Sequence, residues 1–513
     1  MKRSAVENKN LKNVRMKTHG QTEKTVKNIC GILGTTYSVE ISALPEGWST
    51  EPWYTNLTIN QKVSMSCPIK PPPLCTTTIL DGVLHLPRFV GLDIFGTPTR
   101  DSRSLGEAMR LQLEFTGSLR KTPPQIDATR DVLRQLQEVG GAMLVLPCGF
   151  GKTVCSLWLS HQLGRRTLVI VHSEALADQW IDRIGLFLPS ASIGRIQQDT
   201  VNIECDFVVA MIQSLLKRDY GDIFTSFGTV IIDESHHIAA PTFSRVLPKL
   251  PSRYILGLSA TPDRPDGCGA ALEWLLGKIA YRAQRSTEAV TVNQLTYTRG
   301  AEKELKNRAG NPLASRMLSM IASDVVRNRW LTSLMITCAH EGRKIIVLSD
   351  RLDQLLFFER RLRETDDSIT VGRVVGGMKA AQRDEGFEAT IILSTYQFAS
   401  EGIDIPRLDT LIMASPRGNI EQSLGRILRE HTDKKTPLVI DVKDPFSLFE
   451  PMSWKRFAYY KKQKYCVCSR LDEEEGDKEP FFVESDDVEQ SGSIADFAFS
   501  SSLGVTKDAP TFF

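Results

Sequence analysis

The stretch Leu144-Val-Leu-Pro-Cys-Gly-Phe-Gly-Lys-Thr153 constrains the fold of this chain more than any other. It opens on Met143-Leu-Val-Leu146, an apolar run too short for a helix and suited to a buried strand. Gly149 and Gly151 follow, and Val154-Cys-Ser-Leu-Trp-Leu-Ser160 reads as the start of a helix. A strand, a glycine turn and a helix in that order form a phosphate cradle. The turn aims backbone N–H groups at an anion, and the helix N-terminus adds partial positive charge. Leu146, Pro147, Cys148, Gly149, Phe150 and Gly151 supply the loop; Lys152 would reach the outer phosphates and Thr153 would hold Mg²⁺ through its hydroxyl. The usual G-x-x-x-x-G-K-[ST] pattern carries glycine where Leu146 stands, and a chance Gly-Lys-Thr on an ordinary strand–helix turn would look the same locally.

At 513 residues the chain should hold more than one domain. Its apolar (41%) and charged (24%) fractions are those of a soluble globular protein, and a net charge of +2 sets up no global field for nucleic acid, so local patches must do that work. The ten cysteines include no C-x-x-C pair; Cys466 and Cys468 stand alone with no second pair to complete a zinc site, which suits reduced thiols in an intracellular protein. The first ten residues hold no secretory apolar region, and no run approaches the roughly 18 apolar residues of a membrane span. A soluble intracellular protein is expected.

Residues 1–28 read as a flexible basic tail and 29–118 as a small strand-rich domain, with Asp81-Gly82 marking a turn. From Gln125 the pattern becomes βα alternation. Buried strands are expected at Thr167-Leu-Val-Ile-Val171, Phe207-Val-Val-Ala-Met211, Thr229-Val-Ile-Ile232 and Tyr254-Ile-Leu-Gly-Leu258. A second set follows at Lys344-Ile-Ile-Val-Leu348, Thr390-Ile-Ile-Leu393, Thr410-Leu-Ile-Met413 and Pro437-Leu-Val-Ile440. The fold class is therefore α/β, with two doubly wound parallel-sheet domains in tandem, at 119–283 and 284–465. Residues 466–513, acidic and then serine-rich, read as a disordered tail.

Asp233-Glu-Ser-His-His237 follows directly on an apolar strand, where ligands sit in such sheets. Asp233 would hold Mg²⁺, and Glu234 would orient and deprotonate an attacking water. Helix-capping acids are the plainer alternative. His236 and His237 lack further ligands for a metal site and suit polar coupling between domains.

Together with Ser259-Ala-Thr261 and Gln422-Ser-Leu-Gly-Arg-Ile-Leu-Arg429, these stretches fall in the order of the motifs of a superfamily 2 helicase. Pro-Cys-Gly-x-Gly-Lys-Thr, Asp-Glu-x-His-His and Ser259-Ala-Thr-Pro-Asp-Arg-Pro-Asp-Gly267 resemble its XPB-type branch. Phe227-Gly-Thr-Val-Ile-Ile-Asp-Glu-Ser-His-His237 is similar to the helicases of large nucleocytoplasmic DNA viruses, the vaccinia late-transcript-release type. The resemblance spans about residues 115–465.

It implies two RecA-like domains with ATP and Mg²⁺ between them. Gln125 resembles the glutamine that reads adenine, its amide matching the base's donor–acceptor edge. Ser259, Thr261, His236 and Gln422 would couple hydrolysis to the cleft. Gln422, Arg426 and Arg429, spaced i, i+4, i+7, share one helix face, and the two arginines look like fingers for the γ-phosphate. Glu401-Gly-Ile-Asp-Ile-Pro406 resembles the motif in which Gly402 and Asp404 approach the nucleotide sugar. Ser173, Gln213 and Ser214 in the first domain, and Arg351, Gly376, Gly377 and Thr395 in the second, are candidates for nucleic-acid phosphates, a contact without sequence information. The expected partner is a single-stranded or tailed duplex nucleic acid, DNA over RNA, together with viral transcription machinery and no membrane. A viral member would work in the host cytoplasm and in the virion. The expected activity is an ATP-dependent helicase or translocase in transcript release, recombination or repair. An RNA helicase, or a P-loop scaffold with weak ATPase, is the alternative.

Overall fold

A computed structural model describes residues 29–471, apart from 46–47, 49, 51–54, 62–71, 111–112, 123, 148, 237–242, 263–265, 284–289, 300–303, 309, 403–404 and 429–433. The expected terminal tails at 1–28 and 472–513, together with Cys148, His237, Asp404 and Arg429, lie outside the described residues, as does the side chain of Gln422.

The first sheet is small. Its order is Thr78–Leu80, Val83–Leu86, Tyr37–Glu40, Gly31–Leu33 and Arg100–Asp101, antiparallel except for the last pair. Asp81 (φ 50°) and Gly82 (φ 74°) make its tight hairpin, a turn that needs left-handed backbone at both central residues. The helix Arg88–Phe95 attaches this sheet to the larger α/β unit beside it. Arg88 is buried and gives Nη1 to Ser252 O at 3.0 Å and Nη2 to Leu250 O. Phe89 fills the space beside Gly141, where a Cβ would come within 1.9 Å of its ring.

The second sheet has eight strands in the order Thr200–Val201, Ile193–Gln197, Phe207–Met211, Thr167–Val171, Thr229–Ile232, Tyr254–Ser259, Gly141–Val145 and Ile279–Arg282. All its pairs are parallel except Thr200–Val201 with Ile193–Gln197 at one edge. Its central strands are buried along their length, which is why their Val and Ile runs do not alternate with polar residues. One core lies on each face, around Leu168, Val208 and Val230 on one side and Val169, Val209 and Trp180 on the other.

The third sheet is parallel throughout, in the order Val371–Val374, Ile391–Thr395, Ile345–Ser349, Thr410–Met413, Leu438–Lys443, Thr291–Thr296 and Cys466–Leu471. Two cores again flank it. Residues 466–471, assigned to the tail from sequence, instead form an edge strand beside Thr291–Thr296. Two buried ion pairs lock the sheet to its helices. Arg327 bonds Asp444 through Nε and Nη2, both at 3.0 Å, and Arg456 Nη2 lies 2.7 Å from Asp441 Oδ1. The helix Tyr396–Gly402 of this half packs on Glu174–Phe187 of the preceding one, so the two α/β units meet. No helix among the described residues is long and apolar enough to cross a membrane.

Candidate functional site

The strand Gly141–Val145 leads into the loop at 146–151, and the helix Lys152–Leu163 starts immediately after it. Leu146, which occupies the glycine position of the general pattern, is 1% exposed and packs in the core. Its N–H donates to Ser259 O at 3.2 Å, so the loop is stitched to the strand that carries Ser259 and Thr261. A side chain is accommodated because this position faces inward. Phe150 N–H closes a turn on Pro147 O at 3.2 Å. Gly149 (φ 85°) and Gly151 (φ 82°) hold left-handed backbone that other residues adopt only with strain.

Gln125 sits against this loop, 5% exposed, at the start of the helix Gln125–Val139. Its Oε1 accepts from Arg120 N at 3.0 Å and its Nε2 donates to Phe150 O at 3.1 Å. The amide therefore braces the cradle, and each end retains capacity for one further bond. A Cβ at Gly151 would come within 2.4 Å of Gln125 Nε2.

Asp233 and Glu234 leave the strand Thr229–Ile232 at its carboxyl end, facing the start of the helix at Lys152. Lys152 Nζ is 3.5 Å from Glu234 Oε1, and His236 Nδ1 is 3.3 Å from Glu234 Oε2. Glu234 takes a left-handed backbone (φ 43°), an uncommon strain for a residue with a Cβ and one found where geometry matters to function. Burial pushes its carboxyl upward, but Lys152, His236 and Arg426 outweigh this and hold it well below the usual carboxylate range. Asp233 moves the other way, raised by burial and then by the negative Glu234 beside it.

Trp180, buried on the helix Glu174–Phe187, donates Nε1–H to Asp233 Oδ2 at 2.9 Å, while Oδ1 accepts from Glu234 N at 2.9 Å. Nothing in the sequence singled out Trp180. A tryptophan at helical spacing reads as core, and the bond that matters joins residues far apart in the chain.

Arg426 lies on the short helix Glu421–Ile427 of the second α/β unit, 8% exposed. Its charge reaches Glu234 of the first. Ser259 is fully buried and its Oγ accepts from Thr261 N at 3.1 Å, which fixes the turn after that strand. Gly402 ends the helix Tyr396–Gly402. These residues fit a bound Mg²⁺–nucleotide. Two glycines shape the loop, an ammonium and a carboxylate lie 3.5 Å apart at its end, and the first turn of a helix leaves N–H groups that it cannot satisfy internally.

The residues expected to touch nucleic acid divide into two groups. Ser173 stands at the N-cap of Glu174–Phe187 with a buried hydroxyl, and Gln213 Nε2 donates to His172 O at 2.7 Å, joining the two loops. Gly376 and Gly377 are exposed with open space around them, and Thr395 Oγ1 accepts from Phe398 N at 3.3 Å. Ser214 and Arg351 also bond within the protein. Ser214 is buried and accepts from Gln198 N at 3.0 Å, and Arg351 Nη2 donates to Ser315 O and Oγ, each at 2.8 Å. Both brace loops in this structure.

Both α/β units match known protein families. Residues 118–264 match the family described as type III restriction enzyme, res subunit, and residues 327–431 match the helicase conserved C-terminal domain. A protein of Acanthamoeba polyphaga mimivirus named as an ATP-dependent RNA helicase is 36% identical over 393 residues, covering 75% of either chain. A protein of African swine fever virus with the same description is 32% identical over 365 residues, covering 65% of this chain and 70% of its own. A helicase of Escherichia phage T5 is 30% identical over 308 residues, covering 57% of this chain and 66% of its own.

Proposed function

This chain belongs to the superfamily 2 helicases of the kind carried by large DNA viruses, and from that premise we propose that it is an ATP- and Mg²⁺-dependent motor that tracks along nucleic acid, DNA by preference. The observation that carries the proposal is the packing of the helix Tyr396–Gly402 of the second α/β unit on Glu174–Phe187 of the first, the helix whose Trp180 holds Asp233. The charge of Arg426, from the second α/β unit, also favours the ionised form of Glu234 in the first, which supports a site drawn from both units.

Bound Mg²⁺–ATP supplies the phosphoryl group to be transferred. The loop at 146–153 would hold its phosphates, Lys152 would neutralise their outer charge, and Thr153 and Asp233 would hold the metal. Glu234 is kept ionised by the charges of Lys152, His236 and Arg426, which leaves its carboxylate an acceptor that orients the attacking water; deprotonating that water is the further role assigned to it. Arg426, with Arg429, offsets charge that develops on the transferred group. Gln125 reads the adenine, and Gly402 and Asp404 approach the sugar. Ser259, Thr261, His236 and Gln422 pass the state of the site to the cleft. Hydrolysis then changes the spacing of the units at 119–283 and 284–465, which moves loops that grip the strand. Ser173, Gln213, Gly376, Gly377 and Thr395 are the grip; Ser214 and Arg351 support it from behind.

The proposed setting is transcript release, recombination or repair during viral infection. An RNA substrate is the second reading, favoured by the names of the mimivirus and African swine fever virus relatives. ATPase stimulation by single-stranded DNA and by RNA of matched length separates the two. Stimulation by RNA alone would overturn the DNA assignment. Turnover that survives both Lys152→Ala and Glu234→Gln would overturn the motor itself.

A further inference from the structure

The helix Phe449–Gln463 buries Phe449, Ser453, Arg456 and Tyr460 along one face. Trp454 lies off that face and is 58% exposed, the one tryptophan among the large exposed apolar side chains of the described residues. Its ring is 6.1 Å from that of Phe457, in an edge-on arrangement. Lysines surround the two rings. Lys443 Nζ lies 5.2 Å from the Trp454 centroid, Lys461 Nζ lies 4.6 Å from that of Phe457, and Lys455 is exposed beside them. The only acid within the helix is Glu450, in its first turn.

The position of this patch is informative. Lys443 ends the strand Leu438–Lys443, at the same carboxyl edge of the parallel sheet as Ser349 and Thr395. A chain of contacts joins the two: Arg417 pairs with Asp350 at 2.9 Å, the buried Arg456 donates Nη1–H to Arg417 O at 2.7 Å, and a Cβ at Gly418 would lie 3.9 Å from Lys455 Cδ. The patch therefore prolongs the line of loops assigned above to nucleic-acid phosphates.

We propose that Trp454, flanked by Lys443 and Lys455, is a stacking platform for one base of a single-stranded nucleic acid at the end of that track. Exposed rings among cations are what such strands require, because every base presents a π-face and every linkage a negative charge. The platform reads no sequence. It would add length to the footprint and a point of grip outside the nucleotide site. The proposal rests on the chain being a nucleic-acid motor, so its test must be able to fail separately.

The experiment is fluorescence anisotropy of a labelled single-stranded oligonucleotide, in DNA and RNA forms, with the full chain and its Trp454→Ala, Trp454→Phe and Lys455→Ala variants. Trp454→Ala should weaken binding by roughly ten-fold, and Trp454→Phe should recover most of the loss. Lys455→Ala should lower the slope of log affinity against log salt by roughly one. ATPase without nucleic acid should not change, and thermal melting should match the parent because the side chain is exposed. If the parent binds the oligonucleotide and Trp454→Ala binds it equally well, the platform is refuted and the motor stands. If Trp454→Ala loses only capture on phosphatidylserine vesicles, the patch is a membrane surface and the proposal is likewise refuted. If the parent binds no oligonucleotide, the motor itself fails.

Discussion

Replacing Trp180 with phenylalanine tests how the metal-side carboxylate is held. The indole is 1% exposed and its Nε1–H lies 2.9 Å from Asp233 Oδ2; the other carboxylate oxygen keeps its bond from Glu234 N. The substitution thus removes one charge-assisted donor from a buried acid. Such a bond contributes about 1.5–3 kcal/mol, equivalent to roughly 10- to 150-fold in an equilibrium. Groups that orient metal ligands from behind change metal affinity over a similar range, about 10- to 100-fold. The expected outcome is a rise of that size in the Mg²⁺ concentration giving half-maximal ATPase, with kcat largely restored at saturating Mg²⁺. Ile184→Ala is the control: it truncates the same helix in the same core without touching Asp233, and should lower the melting temperature without moving the Mg²⁺ midpoint. A Trp180→Phe protein with an unchanged Mg²⁺ midpoint would refute the positioning argument.

Three further outcomes are expected. Gly151→Ala forces a Cβ into left-handed backbone and against Gln125, at a cost of about 1–2 kcal/mol, so the KM for ATP should rise roughly 5- to 30-fold in steady-state kinetics. Arg456→Ala strands Asp441, which also accepts from Tyr460 Oη at 3.0 Å and Gln294 Nε2 at 3.2 Å; chemical denaturation should show the second α/β unit losing about 3–5 kcal/mol. Truncation after Leu471 should tighten oligonucleotide binding at low salt and not at high salt. Leu471 pairs with Thr296 and Thr296 with Lys443, so Leu471 stands at the sheet edge that carries the basic patch, and the sequence that follows it, Asp-Glu-Glu-Glu-Gly-Asp, is acidic.

Legibility from sequence followed the range of the interactions. The cradle at 146–153 and the acids at 233–234 were readable because strand, turn and helix are neighbours in the chain, and each imposes its own residue types. The departure at Leu146 resolved once its burial was known: the position faces the core, so an apolar side chain fits. Edge strands were harder. Val371–Val374 and Cys466–Leu471 are short or carry polar residues, and only pairing with a neighbour makes them strands. Long-range polar bonds left no local mark. Trp180 with Asp233, Arg456 with Asp441 and Arg327 with Asp444 could not be paired from spacing, nor could Arg351 with Ser315 and Ser319. The bond from Gln198 N to the Ser214 hydroxyl is of the same kind, joining residues that sequence spacing does not connect.

The central claim is that one hydrolytic site is shared between two α/β units. The most direct measurement is the steady-state ATPase of Arg426→Ala beside the parent, with nucleic acid present and ATP affinity determined independently. Arg426 sits in the second unit and is assigned to the charge developing on the phosphoryl group held by the first, so its loss should lower kcat by roughly a thousand-fold or more while ATP binding changes only a few-fold. An Arg426→Ala protein that hydrolyses ATP at the parent's rate would contradict the shared site.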